Sequence, residues 1–574
     1  MGGAVRARAV SSAALLAAAS GLAIGATFSP YGGPVLPFVA FAPLAVSLRR
    51  QLRDGDKRAR FDPAAPFAPG FVAAVLAHGI GLYWMVPALS WRTALAVPVY
   101  ILVLVLIGIV AGIACAAAVS LHRRLRWPLP VALAACWTGF EWTAAHVPGI
   151  SYAWLNSGGS LAWYPAAAAG AELLGARFLT FWTVACGAAA GLAGYRAVRT
   201  RAGPRPWRSR RVLAIAGVVA LPLVAGELRQ RSLDGGEALA RVAAVQAGHG
   251  LAGEVDAGLS GWLDPVGRIP ERASLDLVAF PERFLAAPLR HVGGGVGPRT
   301  GAGDAAAPGT AANDSVGNRL TEAGRAVRDF AGAVGIAVLI GAMDGELAGA
   351  DASDTLWYNA ALLHAPQQGL SRAYRKSRLV PGLEGAGRWH VDMLGGANQG
   401  YAPGHDPLPL PLDEESVGVM VCYDSAYGET ARALVQGGAS WLAVLSNDDW
   451  LDPDLPFRAT WAYWQHATHG RLRAIENRIG LIQVAATGYT FAVSPGGEGA
   501  PFALPPGEQG IAVLTARGRT STTLYTRIGD ILGLSCFLVL GWGTVLSRRA
   551  WRLSGQRIPS PPPQATPGNP PPGD

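Results

Sequence analysis

Hydrophobic and polar positions along this chain fall into two textures. Through the first 227 residues, and again near the end, apolar residues run on without the polar interruptions that give a surface helix or a half-buried strand its period. The stretches 9–28, 31–48, 68–89, 93–119, 128–147, 163–195, 211–227 and 529–547 are long and nearly free of charge. Most reach the roughly 20 residues a helix needs to cross a hydrocarbon core; 31–48 and 211–227 are the shortest. One such run alone would read as a buried helix of a soluble protein, but eight together predict a polytopic α-helical membrane domain. From about residue 240 the texture changes. Short β-rich runs appear at RVAAVQAG (241–248), LDLVAFPE (275–282), GIAVLIGAMD (335–344), YNAALLHA (358–365), VGVMVCYD (417–424), WLAVLSNDD (441–449), GLIQVAAT (480–487) and GIAVLTA (510–516), with helical stretches at 320–333, 427–437 and 457–477. Apolar strands separated by helices predict an α/β domain, a sheet covered by helices, inserted before the last span.

The expected organisation is therefore seven spans in 1–227, an α/β domain in 228–528, a last span in 529–547 and a tail in 548–574. Residues 291–314 are Gly/Ala-rich without periodicity and read as a flexible insertion; the Pro-rich end of the tail reads as disordered.

Composition sharpens this picture. Of 574 residues, 51% are hydrophobic and 15% charged, against about 25% charged in an average soluble domain. Basic residues cluster on every second link: Arg49, Arg50, Arg53, Lys57, Arg58 and Arg60; then Arg123, Arg124 and Arg126; then seven arginines between Arg196 and Arg211; then Arg548, Arg549, Arg552 and Arg557. That alternation places both termini in the cytoplasm and 228–528 outside it. The net charge of +9 is then a matter of topology, and no nucleic-acid partner is expected. Arg6 and Arg8 before an apolar run also fit a cleaved signal peptide. Removing that run would break the alternation, so an uncleaved first span is preferred.

Four of the five cysteines, Cys115, Cys136, Cys186 and Cys536, lie within spans, where a thiol is a small apolar group. Cys422 is the one cysteine in the extracytoplasmic segment, a leftover thiol without an intradomain partner. It closes VGVMVCYD, as Glu282 closes LDLVAFPE, and Lys376 lies in AYRKSRLVPGLEG. Together these residue types supply what thiol acyl transfer needs. A thiol near its ordinary pKa of about 8.5 requires a base, a carboxylate beside Phe280 and Pro281 can take and return the proton, and a cation or backbone N–H, Lys376 or Tyr423, can face the oxyanion. Singly, each residue reads more simply as a buried thiol, a solvated cap or a surface cation. No CxxC, HExxH or phosphate-binding glycine loop is present, and neither a metal nor a cofactor is expected.

The text around these residues resembles the nitrilase, or carbon–nitrogen hydrolase, superfamily, whose signature is Glu, Lys and Cys in this chain order on an α-β-β-α sandwich. Within it the chain is similar to the apolipoprotein N-acyltransferase family. FSPYGGPVLPFVAFAPL (28–44) and ISYAWLNSGGSLAWYPAAAAGAELLGARFLTFW (150–182) look like that family's membrane segments; LDLVAFPE, WYNAALL, YRKSRLVPGLEG, CYDSAYGE, LSNDDW, WQHATHGRLRAIENR and TTLYTRIGD follow in the family's order. The resemblance implies a monomeric multi-pass protein of the bacterial inner membrane with its catalytic domain on the periplasmic side. It implies a ping-pong reaction in which Cys422 takes an acyl chain from a membrane phospholipid and passes it to the N-terminal amine of a diacylglyceryl apolipoprotein. Glu282 would be base and acid, Lys376 the transition-state stabiliser and Glu384 a supporting carboxylate. Tyr423 matches the aromatic after the nucleophile, and Asn447 and Asp448 match a strand-end turn that lines the pocket or forms a plain Asx turn. The competing readings are a membrane-anchored amidase or nitrilase acting on a small amide, and a degenerate lipoprotein-binding scaffold.

Three departures from the family stand out. Asp424 replaces the usual Glu two residues after the nucleophile, AGHGLAGEVDAG lacks a lid Trp, and Ala486-Thr487-Gly488 replaces an Asn-Asn-Gly turn. His466, on a helix with Arg473 and Glu476, reads as packing and ion pairing rather than chemistry. Trp450, Trp461 and Trp464 fit a lipid interface or a protein core equally.

Overall fold

The computed structural model describes residues 2–54, 64–90, 93–200, 210–248, 255–290, 320–347, 355–385, 400–451 and 460–555. The insertion 291–314, the Pro-rich tail and most of the lid stretch after residue 248 lie outside the described residues. Each of the eight apolar runs overlaps a helix: Gly2–Thr27, Ala42–Asp54, Ala64–Gly81, Ala96–Leu125, Leu129–His146, Ala176–Arg199, Arg210–Arg231 and Ile531–Gly555. Among the described residues, Ala64–Gly81, Ala96–Leu125, Ala176–Arg199, Leu213–Arg231 and Ile531–Arg548 are long and apolar enough to cross a membrane, by length and composition. Their outward residues, such as Ile101, Leu102, Leu221, Leu538 and Trp542, are more than half exposed, a belt that suits lipid and would be a liability in water.

Two runs behave differently from a simple span. In 31–48 the chain first makes turns and the short 3-10 helix Leu36–Phe38, and only Ala42–Asp54 is α-helical. Gly32, Gly33, Pro34 and Pro37 withhold the regular helix there. Thirteen residues at 1.5 Å each reach about 20 Å, short of a 30 Å core. In 163–195 the long helix begins only at Ala176, after Gly175 has turned the chain at a φ of 74°.

Each β-rich run lies on a strand. In chain order the strands are β1 (Ala238–Gln246), β2 (Leu277–Ala279), β3 (Ala337–Leu347), β4 (Thr355–Ala365), β5 (Gly369–Leu370), β6 (Tyr374–Arg375), β7 (Leu410–Leu412), β8 (Glu415–Val421), β9 (Trp441–Ser446), β10 (Leu481–Ala485), β11 (Phe491–Val493) and β12 (Gly510–Arg517). One sheet runs β12-β1-β2-β3-β4-β5 with β6 also on β4, and the other runs β11-β10-β9-β8-β7. Side-chain alternation along the first sheet explains its two coats. Val242, Ala244, Leu277, Leu339 and Leu363 face the second sheet's Val419, Val421, Leu442, Val444 and Leu481. Their neighbours Ala243, Val245, Val278, Val338 and Ile340 face the helices Val255–Gly267 and Glu322–Val334. Each such Val or Leu contributes about 1.5–3 kcal/mol by leaving water. Helices Gly428–Gln436 and Thr460–Asn477 cover the second sheet, completing an α-β-β-α sandwich.

The helix Thr460–Asn477 is buried on every side. Ala467 and Ala474 pack on the sandwich core, while Leu472 and Ile475 pack with Leu161, Leu179 and Trp182 of the membrane half. Gln465 donates to the carbonyls of Phe28 (3.0 Å) and Gly81 (2.9 Å) and accepts from the indoles of Trp84 (3.0 Å) and Trp154 (2.8 Å). Glu476 accepts from the amide of Ala176, the first residue of its helix, at 2.7 Å. The three tryptophans left open by the sequence pack on aromatic residues of the membrane half: Trp450 on Trp84, Trp461 on Tyr83 and Trp464 on Trp163.

Candidate active site

Glu282, Lys376 and Cys422 come from three strand ends and meet between the sheets. After β2 the amide of Phe280 still bonds Leu339 (2.8 Å), and the chain then crosses closely over β3. A Cβ on Gly341 would stand 2.4 Å from the Pro281 carbonyl, so only glycine admits that crossing. The Glu282 side chain, 3% exposed, thereby turns inward. Its Oε1 accepts from Asn359 Nδ2 (2.7 Å) and Lys376 Nζ (3.0 Å), and its Oε2 from the backbone amide of Asn447 (2.8 Å).

Lys376 follows β6 and is 1% exposed. It donates to Glu282 and, at 2.9 Å, to Glu384 Oε1. Burial alone would neutralise the amine; the charges of Glu282 and Glu384 overcome it and hold the lysine well above its ordinary range. Glu384 is fixed in turn by Asn359 (3.1 Å) and by the amide of Val380 (2.8 Å). Asn359 thus braces both carboxylates. The sequence reading did not name it, although a lone Asn within the apolar strand run WYNAALL was the available signal.

Cys422 begins a short 3-10 helix, Cys422–Ala426, directly after β8. Its φ is 49°, a left-handed conformation costing on the order of 1–2 kcal/mol for a residue with a Cβ. Burial, then the charge of Glu282, pushes the thiol well above its ordinary range; Lys376 opposes them, and Asp448 and Glu384 add to the rise. The resting sulfur is therefore protonated.

Asp424 clasps this turn to the lysine loop. Its Oδ1 accepts from the amides of Ser377 (3.1 Å) and Arg378 (2.7 Å) and from the Ser377 hydroxyl (3.0 Å). Its Oδ2 accepts from the amide of Val421 (3.0 Å) and the hydroxyl of Tyr374 (2.9 Å). Tyr423 and Tyr427 tie the same turn to the membrane half: Tyr423 donates to the Ser151 carbonyl (3.2 Å) and accepts from the Ala153 amide (3.3 Å), and Tyr427 donates to the Ser151 hydroxyl (3.0 Å).

Asn447 has two roles. Its side chain accepts from the Asp449 amide (3.1 Å) in an Asx turn, while its backbone amide holds Glu282. His466, fully buried, bonds Asp448 Oδ1 through Nδ1 (2.8 Å) and the Cys422 carbonyl through Nε2 (3.2 Å). The sequence reading of packing and ion pairing named no partner for His466; Asp448 is that partner, and Arg473 and Glu476 pair with each other. Sγ of Cys422, a carboxylate oxygen of Asp448 and a ring nitrogen of His466 lie within 4.8 Å of one another. Both ring nitrogens are engaged, on a carboxylate and a carbonyl, in a hydrogen-bonded network.

The family model described as "Apolipoprotein N-acyltransferase N-terminal domain" matches residues 20–189, and that described as "Carbon-nitrogen hydrolase" matches residues 241–521. The chain is 27% identical over 197 residues to apolipoprotein N-acyltransferase 1 of Treponema denticola, covering 32% of this chain and 35% of that protein. It is 33% identical over 172 residues to apolipoprotein N-acyltransferase of Bordetella bronchiseptica, covering 27% and 29%. The matched stretches thus span about a third of those relatives' length. A crystal structure of carbon–nitrogen hydrolase from Helicobacter pylori aligns over 55% of this chain and 95% of its own, at 16% identity and a TM-score of 0.34. With the first family model on its membrane helices and the second on its sandwich, this chain belongs to the apolipoprotein N-acyltransferase family of the nitrilase superfamily.

Proposed function

We propose that this protein N-acylates the diacylglyceryl-cysteine at the N-terminus of bacterial apolipoproteins, with a membrane phospholipid as acyl donor and a thioester on Cys422 as intermediate. The observation that carries the reading is the junction itself. The cysteine turn is bonded through Tyr423 and Tyr427 to Ser151 and Ala153, beside the outer end of the helix Leu129–His146. That arrangement supports a thiol close to the membrane half, as a reaction between two lipid substrates requires.

Glu282 has about four lone-pair positions and spends three of them on Asn359, Lys376 and the Asn447 amide. One remains for the thiol proton. As the proton passes to Glu282, sulfur attacks the ester carbonyl and a C–S bond forms. The ester C–O bond then breaks, and the proton goes to the departing lysophospholipid oxygen. In the second half the lipoprotein's α-amine attacks the thioester, the C–S bond breaks, and a proton from the amine returns through Glu282 to sulfur. Lys376, held charged between two carboxylates, and the Tyr423 amide face the oxyanion in both halves. The basic clusters at Arg123–Arg126 and Arg196–Arg199 stand at the helix ends far from these contacts, supporting an inner-membrane protein with its catalytic domain on the periplasmic side.

Mass spectrometry of lipoprotein N-termini, from membranes with and without this protein, tests the reading. The expected result is a third, amide-linked acyl chain only in its presence. With Cys422→Ala, transfer should fall at least about 1,000-fold while the protein still inserts and folds. Acyl transfer retained by that variant refutes the assignment. Release of ammonia from small amides, with no acyl-enzyme formed from phospholipid, points instead to an amidase.

A further inference from the structure

The pair His466 and Asp448 lies against the cysteine, with a ring nitrogen and a carboxylate oxygen within 4.8 Å of Sγ. Asp448 is 1% and His466 0% exposed. Asp448 Oδ2 accepts from the Ser446 hydroxyl at 3.2 Å and is hemmed in by the turn after β10: a Cβ on Gly488 would stand 2.0 Å from it. The turn that departs from the family's text is thus the wall that fixes this carboxylate, and Gly488 is the position that must stay without a side chain.

Both groups facing the imidazole, a carboxylate and a carbonyl, are acceptors. An imidazolium, with hydrogen on both nitrogens, is the form that satisfies both. Its Nε2–H points at the carbonyl of the one cysteine whose backbone is left-handed. We propose that His466, fixed by Asp448, is a positioning residue for the nucleophile. It pins the strained Cys422 backbone through its carbonyl and sets a buried positive charge beside Sγ that favours the thiolate over the thiol.

The groups facing Cys422 are Glu282, Lys376, Asp448, Glu384 and His466; those facing His466 are Asp448, Glu282, Cys422 and His469. Burial pulls His466 down, but the charge and hydrogen bond of Asp448 raise it above its ordinary range. Burial leaves His469 neutral, so the imidazolium has no charged histidine beside it.

The proposal rests on Cys422 being the nucleophile, and the alkylation arm of its test needs neither lipid nor lipoprotein. Full-length protein in detergent is alkylated with iodoacetamide across pH, and Cys422 labelling is followed by mass spectrometry. His466→Gln keeps an N–H donor without the charge; His466→Leu keeps neither. The alkylation midpoint should rise by about one pH unit in both variants. Acyl-enzyme formation should drop at least about 100-fold in the Leu variant through kcat, with KM unchanged, and recover at least tenfold in the Gln variant. Equal midpoints in the wild type and the Gln variant overturn the proposal, even if the Leu variant fails to fold. A raised midpoint in a protein that transfers no acyl chain leaves this pair standing and removes the acyltransferase reading instead.

Discussion

Asp424 shows what one methylene decides. With its short side chain the carboxylate reaches three donors through one oxygen and two through the other, all from Val421 and the Tyr374–Arg378 segment. Burial raises its pKa, and Lys376 is the largest opposing influence. Asp424→Asn should destabilise the protein by about 3 kcal/mol or more, because an NH2 group must face two donors or lose three. Asp424→Glu must displace the Lys376 loop to seat its extra carbon, so acyl-enzyme formation should fall while urea stability changes less than in the Asn variant. An Asn variant as stable as wild type refutes the clasp. At this scale the sequence was legible where chemistry demands a residue type: Glu282, Lys376, Cys422 and Glu384 all meet. The brace Asn359 was harder to read, because a polar residue in an apolar run does not announce its partner across a sheet; Asp448 was legible as a turn residue but not as the partner of His466.

Among the elements, the helix Thr460–Asn477 and the helix Gly428–Gln436 join the two halves. The latter carries Glu429 in its first turn, 2.9 Å from His146 at the last turn of the helix Leu129–His146, an acid and a base each at the helix end its dipole favours. Burial would raise Glu429, but the hydrogen bond and charge of His146 bring it down to about 2. A carboxylate lowered on folding contributes stability that is present above its unfolded value near 4.5 and lost as pH falls from there toward 2. The thermal midpoint in detergent should therefore drop between pH 6 and pH 3 by more in the wild type than in Glu429→Gln; parallel curves would remove the latch. Sequence periodicity found both helices and all the long strands, since length and pattern report them. The short β5, β6, β7 and β11 carry too few residues for a period. In the run 31–48 only Ala42–Asp54 is α-helical: hydropathy registers apolar content but not the turns its glycines and prolines impose.

At the scale of the molecule, a hydrolase sandwich has one coat turned into a mount. Its helix Thr460–Asn477 has no water-facing side, and Gln465 completes four hydrogen bonds that all end on the membrane half. Residues 234–520 expressed alone should therefore aggregate or bind a hydrophobic dye, read by size exclusion and fluorescence, unlike an independent domain. A monodisperse, dye-silent fragment would show the mount to be dispensable. Composition revealed that a membrane part and an α/β part coexist. It could not reveal this join, because buried Gln, Trp and Arg look like surface residues until their partners are placed.

The join also bears on how such a chain can be recombined. By chain order Thr460–Asn477 belongs to the sandwich, yet Gln465, Leu472, Ile475 and Glu476 answer to residues of the membrane half. A chimera that sets this sandwich on a relative's spans should be inactive unless those four positions are inherited with the spans. The seam of modularity runs through the middle of a helix, one residue away from the histidine that bonds the Cys422 carbonyl.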